Sequence, residues 1–134
     1  LNLGLDTSVV VRVLSGDPEN LALAALRFLR KRQLAGDRFL VSDLVLAETY
    51  HAFQHHYGAS KRETLAALRD FLASPGIEGS GEVPEVLATP NLESAKPGFI
   101  DRVIHRDYLR AGAEQVVTFE TAGSKLQQIR LPKA

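Results

Sequence analysis

The 134-residue chain contains no cysteine, no methionine and no tryptophan. Without cysteine it forms no disulfide, holds no zinc through thiolates and does no thiol chemistry. An excess of charge is missing too, because 16 basic and 16 acidic residues cancel. Attraction to nucleic acid through bulk charge is thereby excluded, but a local basic patch is not. No apolar run reaches the length of a membrane span. The opening "LNLGLD" lacks the basic n-region of a signal peptide, so a cytoplasmic location is expected. The chain starts at Leu1, so its native start is expected to be processed or missing. The sequence also lacks a Gly-x-x-x-x-Gly-Lys phosphate loop and a Gly-x-Ser-x-Gly elbow, which speaks against P-loop and α/β-hydrolase chemistry.

What is present fits a single globular domain over residues 1–134, with 45% apolar and 24% charged residues. Residues 1–5 read as a short buried strand ending at Asp6. "TSVVVRVL" (7–14) either extends it or becomes a helix, and Asp6 or Thr7 as N-cap favours the helix. Asp17 and Pro18 predict the N-cap and first residue of the next helix. Leu23, Leu26, Phe28 or Leu29, and Leu34 form its expected apolar side. Phe39 to Val41 reads as a second strand, followed by a helix capped by Ser42 or Asp43 and stopped by Gly58. "SKRE" (60–63) is a capping box opening a further helix. A strand near Ile77 or Val83 and a helix from Pro84 to Lys96 are expected next. "FIDRVIHRDYLRAGA" predicts a helix with Phe99, Ile100, Val103, Ile104 and Tyr108 on one side. "EQVVTF" reads as a buried strand, "TAGSKL" as a turn or helix, and "QQIRL" as a last strand. Strands alternating with helices give an α/β class: a three-layer α/β/α domain around a mostly parallel sheet of four or five strands.

In such a sheet, sites form at the carboxyl ends of the strands. Asp6 ends the first strand within an apolar run, where an ionised carboxylate needs partners. Glu120 ends "QVVTF", Glu48 lies about two turns into the helix after the second strand, and Asp101 opens the helix "FIDRVIHRDY". Gathered together, these acids repel one another unless a cation sits among them. Oxygen ligands without cysteine suit Mg²⁺ or Mn²⁺. Two such ions about 3.5–4 Å apart activate water and stabilise a leaving oxygen in phosphodiester cleavage. Each acid has a plain structural alternative: a helix cap for Asp6, a solvated helix face for Glu48, a helix-dipole partner for Asp101, a solvated strand end for Glu120.

Four segments, "LDTSVVVRVL", "LVSDLVLAETYHAF", "GFIDRVIHR" and "AGAEQVVTFE", resemble in order and spacing the motifs of PIN-domain ribonucleases, most closely the VapC-type toxins of prokaryotic toxin–antitoxin pairs. The resemblance implies that Asp6, Glu48, Asp101 and Glu120 are catalytic and hold the metal. It implies that Ser8, Thr7 and Thr118 hydrogen-bond those carboxylates or a water. It further implies RNA as substrate, a homodimer, and a cognate antitoxin covering the site. The family usually has Asp where this chain has Glu120, and a small residue where it has Arg102. Arg12 and Arg102 are candidate contacts to the RNA backbone, and Arg102, His105 and Arg106 form either a phosphate-binding edge or a solvated helix side. A rival from another class is a PIN-like domain that no longer cuts and serves as an RNA- or protein-binding module. The spacing of Glu48, His51 and His55 matches neither a zincin nor, as a single Glu-x-x-His, a di-iron bundle.

Overall fold

The computed structural model describes residues 1–120 and 128–131. The chain forms two compact units, residues 1–84 and 85–134.

In the first unit, β1 (Asn2–Gly4), β2 (Arg38–Val41) and β3 (Ile77–Gly79) form a parallel sheet in the order β1-β2-β3. Leu3 pairs with Phe39, and Phe39 with Ile77. Parallel neighbours need long crossovers. These are helix pairs: α1 (Thr7–Ser15) with α2 (Glu19–Leu34), then α3 (Asp43–His55) with α4 (Lys61–Leu72). The central strand carries the core, with Phe39 and Val41 fully buried alongside Val10, Leu46 and Leu68. Thr49 and Thr64 are buried as well, and each hydroxyl donates to the carbonyl four residues earlier, Val45 and Ser60, at 2.8 Å.

Helix boundaries follow local chemistry. Ser42 Oγ accepts from the Val45 N–H at 3.2 Å, so Ser42 rather than Asp43 caps α3. The Ser60–Glu63 capping box forms with both bonds at 3.1 Å. Residues 7–15 take the helical alternative, and Gly16 ends α1 at φ +71°, where only glycine is unstrained.

Two expectations for α2 are corrected. Pro18 is extended (ψ 149°), so it is the N-cap, and the helix starts at Glu19. Asp17 instead exchanges hydrogen bonds with the Ser15 hydroxyl. Of the expected apolar side of α2 only Leu29 is buried, together with Ala22 two turns earlier, while Leu23, Leu26, Phe28 and Leu34 are exposed. A small residue at the contact seats the helix against its neighbours and leaves the larger apolar residues outside.

Past β3 the chain turns sharply. Asp43, the first residue of α3, accepts from the Glu82 N–H (2.8 Å) and the Val83 N–H (2.9 Å) with its two carboxylate oxygens. A Cβ at Gly81 would run into that carboxylate, so the turn requires glycine. The strand is at Ile77, and Val83 opens a short helix, α5 (Val83–Leu87). The helix expected from Pro84 to Lys96 is broken: after α5 come Pro90, Asn91 at φ +52° and a single 3-10 turn, Leu92–Ser94. Proline lacks the N–H that would continue the helix.

The second unit contains α6 (Phe99–Arg110) and a two-stranded parallel ladder of β4 (Val116–Thr118) and β5 (Gln128–Arg130). Val117 pairs with Ile129. Phe99, Val103 and His105 are the buried residues of α6, while Ile104 and Tyr108, expected on its apolar side, are exposed. The expected α/β class is met, but among the described residues the five strands form a three-stranded and a two-stranded parallel sheet in place of one sheet of four or five. The "TAGSKL" segment lies outside the described residues. No helix among the described residues is long and apolar enough to cross a membrane.

Candidate functional site

Parallel pairing sends the carboxyl ends of β1, β2 and β3 to one edge of the sheet, and the functional side chains of the first unit follow those ends. Asp6 occupies the N-cap position of α1 with extended backbone (φ −82°, ψ 158°), but its side chain makes no cap hydrogen bond. Instead Asp6 Oδ2 accepts from Ser8 Oγ at 3.0 Å. The neighbouring Thr7 Oγ1 donates to Glu48 Oε1 at 2.9 Å, across 41 residues of sequence. Asp6 and Glu48 are both exposed. The strand ends at Gly4, Leu5 beyond it is buried, and the Asp6 carboxylate stands past the carboxyl end of the strand in solvent.

A carboxylate at a helix start ordinarily spends its oxygens on the free N–H groups of the first turn. Asp6 does not, so its acceptor capacity is directed outward. Ser8 and Thr7 each donate to one acid and fix its rotamer, as supporting hydrogen bonds do around metal-binding carboxylates. Arg12 lies on the same helix, half-buried, with Nη1 donating to the Ser8 carbonyl at 3.0 Å. That bond pins the guanidinium along α1, one turn from Asp6.

In the second unit, Asp101 stands in the first turn of α6 and Glu120 just beyond β4, both exposed. They line one cavity of about 270 Å³, together with Thr118, Val116, His105 and Tyr108. Thr118 Oγ1 accepts from the Glu120 N–H at 3.0 Å, so the threonine shapes the turn that carries the acid rather than bonding its carboxylate. Arg102 is half-buried, and its Nε donates to the Pro97 carbonyl at 2.7 Å, bracing the approach to α6.

Each unit therefore carries two of the four acids and brings its own two into a common setting. Among the described residues no group of three or more His, Asp or Glu stands close enough to hold a metal ion. The donor chemistry is nonetheless that of a hard-cation site, all carboxylate and hydroxyl oxygen. His105 lines a smaller cavity of about 140 Å³ with Arg102 and Arg106, as the expected edge had it, but it is only 6% exposed, and its Nε2 is buried without a hydrogen-bond partner. Its flanking arginines masked it in the sequence. The available signal was its i+4 spacing from Asp101.

Parallel strands with crossover helices define the class, an α/β protein, in which each unit carries one exposed pair of the four acids. The model of the PIN domain family matches residues 4–120, spanning all four acids, and the chain belongs to that family. PIN domains are generally metal-dependent nucleases and typically use divalent metals. No curated protein and no solved structure matches the chain.

Proposed function

We propose that the protein is a divalent-metal-dependent endoribonuclease, the cytoplasmic toxin of a VapBC-type toxin–antitoxin pair. The observation that carries this reading is the pair of hydroxyl bonds at the start of α1, Ser8 to Asp6 and Thr7 to Glu48. They orient outward one acid at the start of α1, where a purely structural Asp would cap, and one acid within α3. Asp6, Glu48, Asp101 and Glu120 are the residues that would hold Mg²⁺ or Mn²⁺. When bound, the ion supplies an activated water and stabilises charge on the leaving oxygen.

The chain's own residues do the rest. Thr7 and Ser8 hold the carboxylates in place, so that no reorganisation is needed when substrate arrives. Arg12 and Arg102 contact the phosphate backbone of RNA and set its register, without reading sequence. An antitoxin and a second copy of the chain need apolar surface. Leu23, Leu26 and Phe28 are exposed along α2, and Leu26, Arg30 and Phe71 border a cavity of about 240 Å³ in the same unit. Exposed apolar surface of this kind supports partner binding.

The test is cleavage of a mixed RNA panel with Mg²⁺ or Mn²⁺. Cutting is expected to stop with a chelator, and to fall to the chelated level in Asp6→Asn and in Asp101→Asn. Metal-independent binding of RNA or protein, with no cleavage across the panel, would instead establish a non-cutting binding module. A short reading frame directly upstream, coding for a small DNA-binding protein, is expected if the toxin assignment holds.

A further inference from the structure

The cavity of the second unit contains more than two acids. Asp101, Ile104, His105 and Tyr108 follow one another at helical spacing along one face of α6, and all four line it. Ile104 and Tyr108 are 46% and 53% exposed, so two large apolar side chains stand open beside the acids. His105 is the opposite case: a buried imidazole whose Nε2 has no hydrogen-bond partner. Native proteins rarely leave a buried polar atom unpaired, and His105 borders this cavity, so a turn of its ring would present Nε2 to a ligand there.

We propose that this cavity is a nucleobase subsite. It takes one base of single-stranded RNA, with the Tyr108 ring against the face of the base and His105 Nε2 hydrogen-bonded to an edge group. This deepens the ribonuclease reading and rests on it for the identity of the polymer. At about 270 Å³ the space is below the roughly 300–1,000 Å³ that holds drug-sized ligands, so it suits one ring system. Val116 and Ile104 supply apolar walls and His105 and Thr118 the few polar groups, as ligand pockets require. With no cation bound, Asp101 and Glu120 repel a bare phosphate, whereas a neutral base meets no such penalty. Stacking on an exposed aromatic ring with hydrogen bonding to a base edge is the usual mode of reading single-stranded RNA.

The experiment uses the full chain in chelator, with each of the four ribonucleosides as probe, followed by saturation-transfer NMR. At least one nucleoside is expected to bind through its base protons. Tyr108→Ala is expected to weaken that binding by about fivefold or more, and Tyr108→Phe to preserve it, because stacking needs the ring and not the hydroxyl. His105→Asn is expected to change which nucleoside binds best. Tyr108 lies at the surface, so an unchanged melting curve for Tyr108→Ala separates loss of stacking from loss of fold. Absence of nucleoside binding by the wild-type chain, or equal binding by Tyr108→Ala, overturns the subsite. Cleavage of random-sequence RNA with Mn²⁺ supplies the second arm. A base preference at one position flanking the cut, flattened in Tyr108→Ala, supports the subsite. Nucleoside binding without cleavage keeps the subsite and removes the ribonuclease function. Cleavage without nucleoside binding and without base preference keeps the ribonuclease and removes the subsite.

Discussion

The two units present their acids in different ways. In residues 1–84 a three-stranded sheet with its central strand buried holds Asp6 and Glu48, and each acid accepts a hydroxyl hydrogen bond. In residues 85–134 a two-stranded ladder and one long helix carry Asp101 and Glu120 at a cavity whose wall includes an unpaired imidazole nitrogen. The first unit is organised before any ligand arrives. The second has polar capacity left over for a ligand to complete. Preorganised groups favour chemistry, because their reorganisation is already done. Unsatisfied groups favour selectivity, because only a ligand with the right polar atoms relieves them.

That contrast can be broken most severely at Gly81. Gly81→Ala sets a methyl group against the Asp43 carboxylate, which holds the Glu82 and Val83 N–H groups. Loss of charge-assisted bonds together with the clash is expected to cost about 3 kcal/mol, read as a shift in the urea midpoint at unchanged slope. A midpoint within experimental error of wild type would show that the first unit is less fixed than its hydrogen bonds imply.

A second substitution pair sharpens the comparison at the acids themselves. Thr7→Ala is expected to lower ribonuclease activity by about 10- to 100-fold with little change in melting temperature, and Thr7→Ser to restore it. Thr118→Ala, which removes a bond to the backbone and not to a carboxylate, is expected to lower activity less. Equal losses at the two positions would erase the distinction between the units.

The smallest effect is at the capping box of α4. Ser60→Ala is expected to destabilise the chain by about 1 kcal/mol in thermal or denaturant unfolding. Hydrogen bonds from the Ser60 backbone N–H and then from its side chain lower the pKa of Glu63. A lowered folded-state pKa stabilises the fold above the ordinary glutamate value, about 4.3, and this stabilisation is lost as pH falls through the folded value. The difference between wild type and Glu63→Ala is therefore expected at neutral pH and should fade on acidification. A difference that persists at pH 3 would mean that Glu63 acts without its charge.

Much of the fold was legible because it is local. The capping box at Ser60 and the strand at Phe39–Val41 each depend on a few adjacent residues, and the structure has them as expected, whereas α3 ends at His55, three residues before Gly58. The α2 face was legible only at Leu29, for the opposite reason. Periodicity locates an apolar stripe but does not say which stripe meets a neighbour, and the contact went to Ala22 and Leu29. The first strand shows the same limit: an apolar run suggests a buried strand over residues 1–5, whereas β1 is Asn2–Gly4 and only Leu5, just beyond it, is buried.

The sequence by itself determined most of the element order, the α/β class and the PIN family. Caps, turns and hydrophobic periods act over a few residues, and the motifs lie in the order the family model matches. Only the tertiary structure decided that Thr7 reaches Glu48, that Asp43 clamps the turn at Gly81, and that His105 lies buried beside Asp101 and Glu120. The first two are contacts between residues about forty positions apart, and the third is a matter of which helix face packs inward. Both depend on how the chain closes on itself, which no local pattern records.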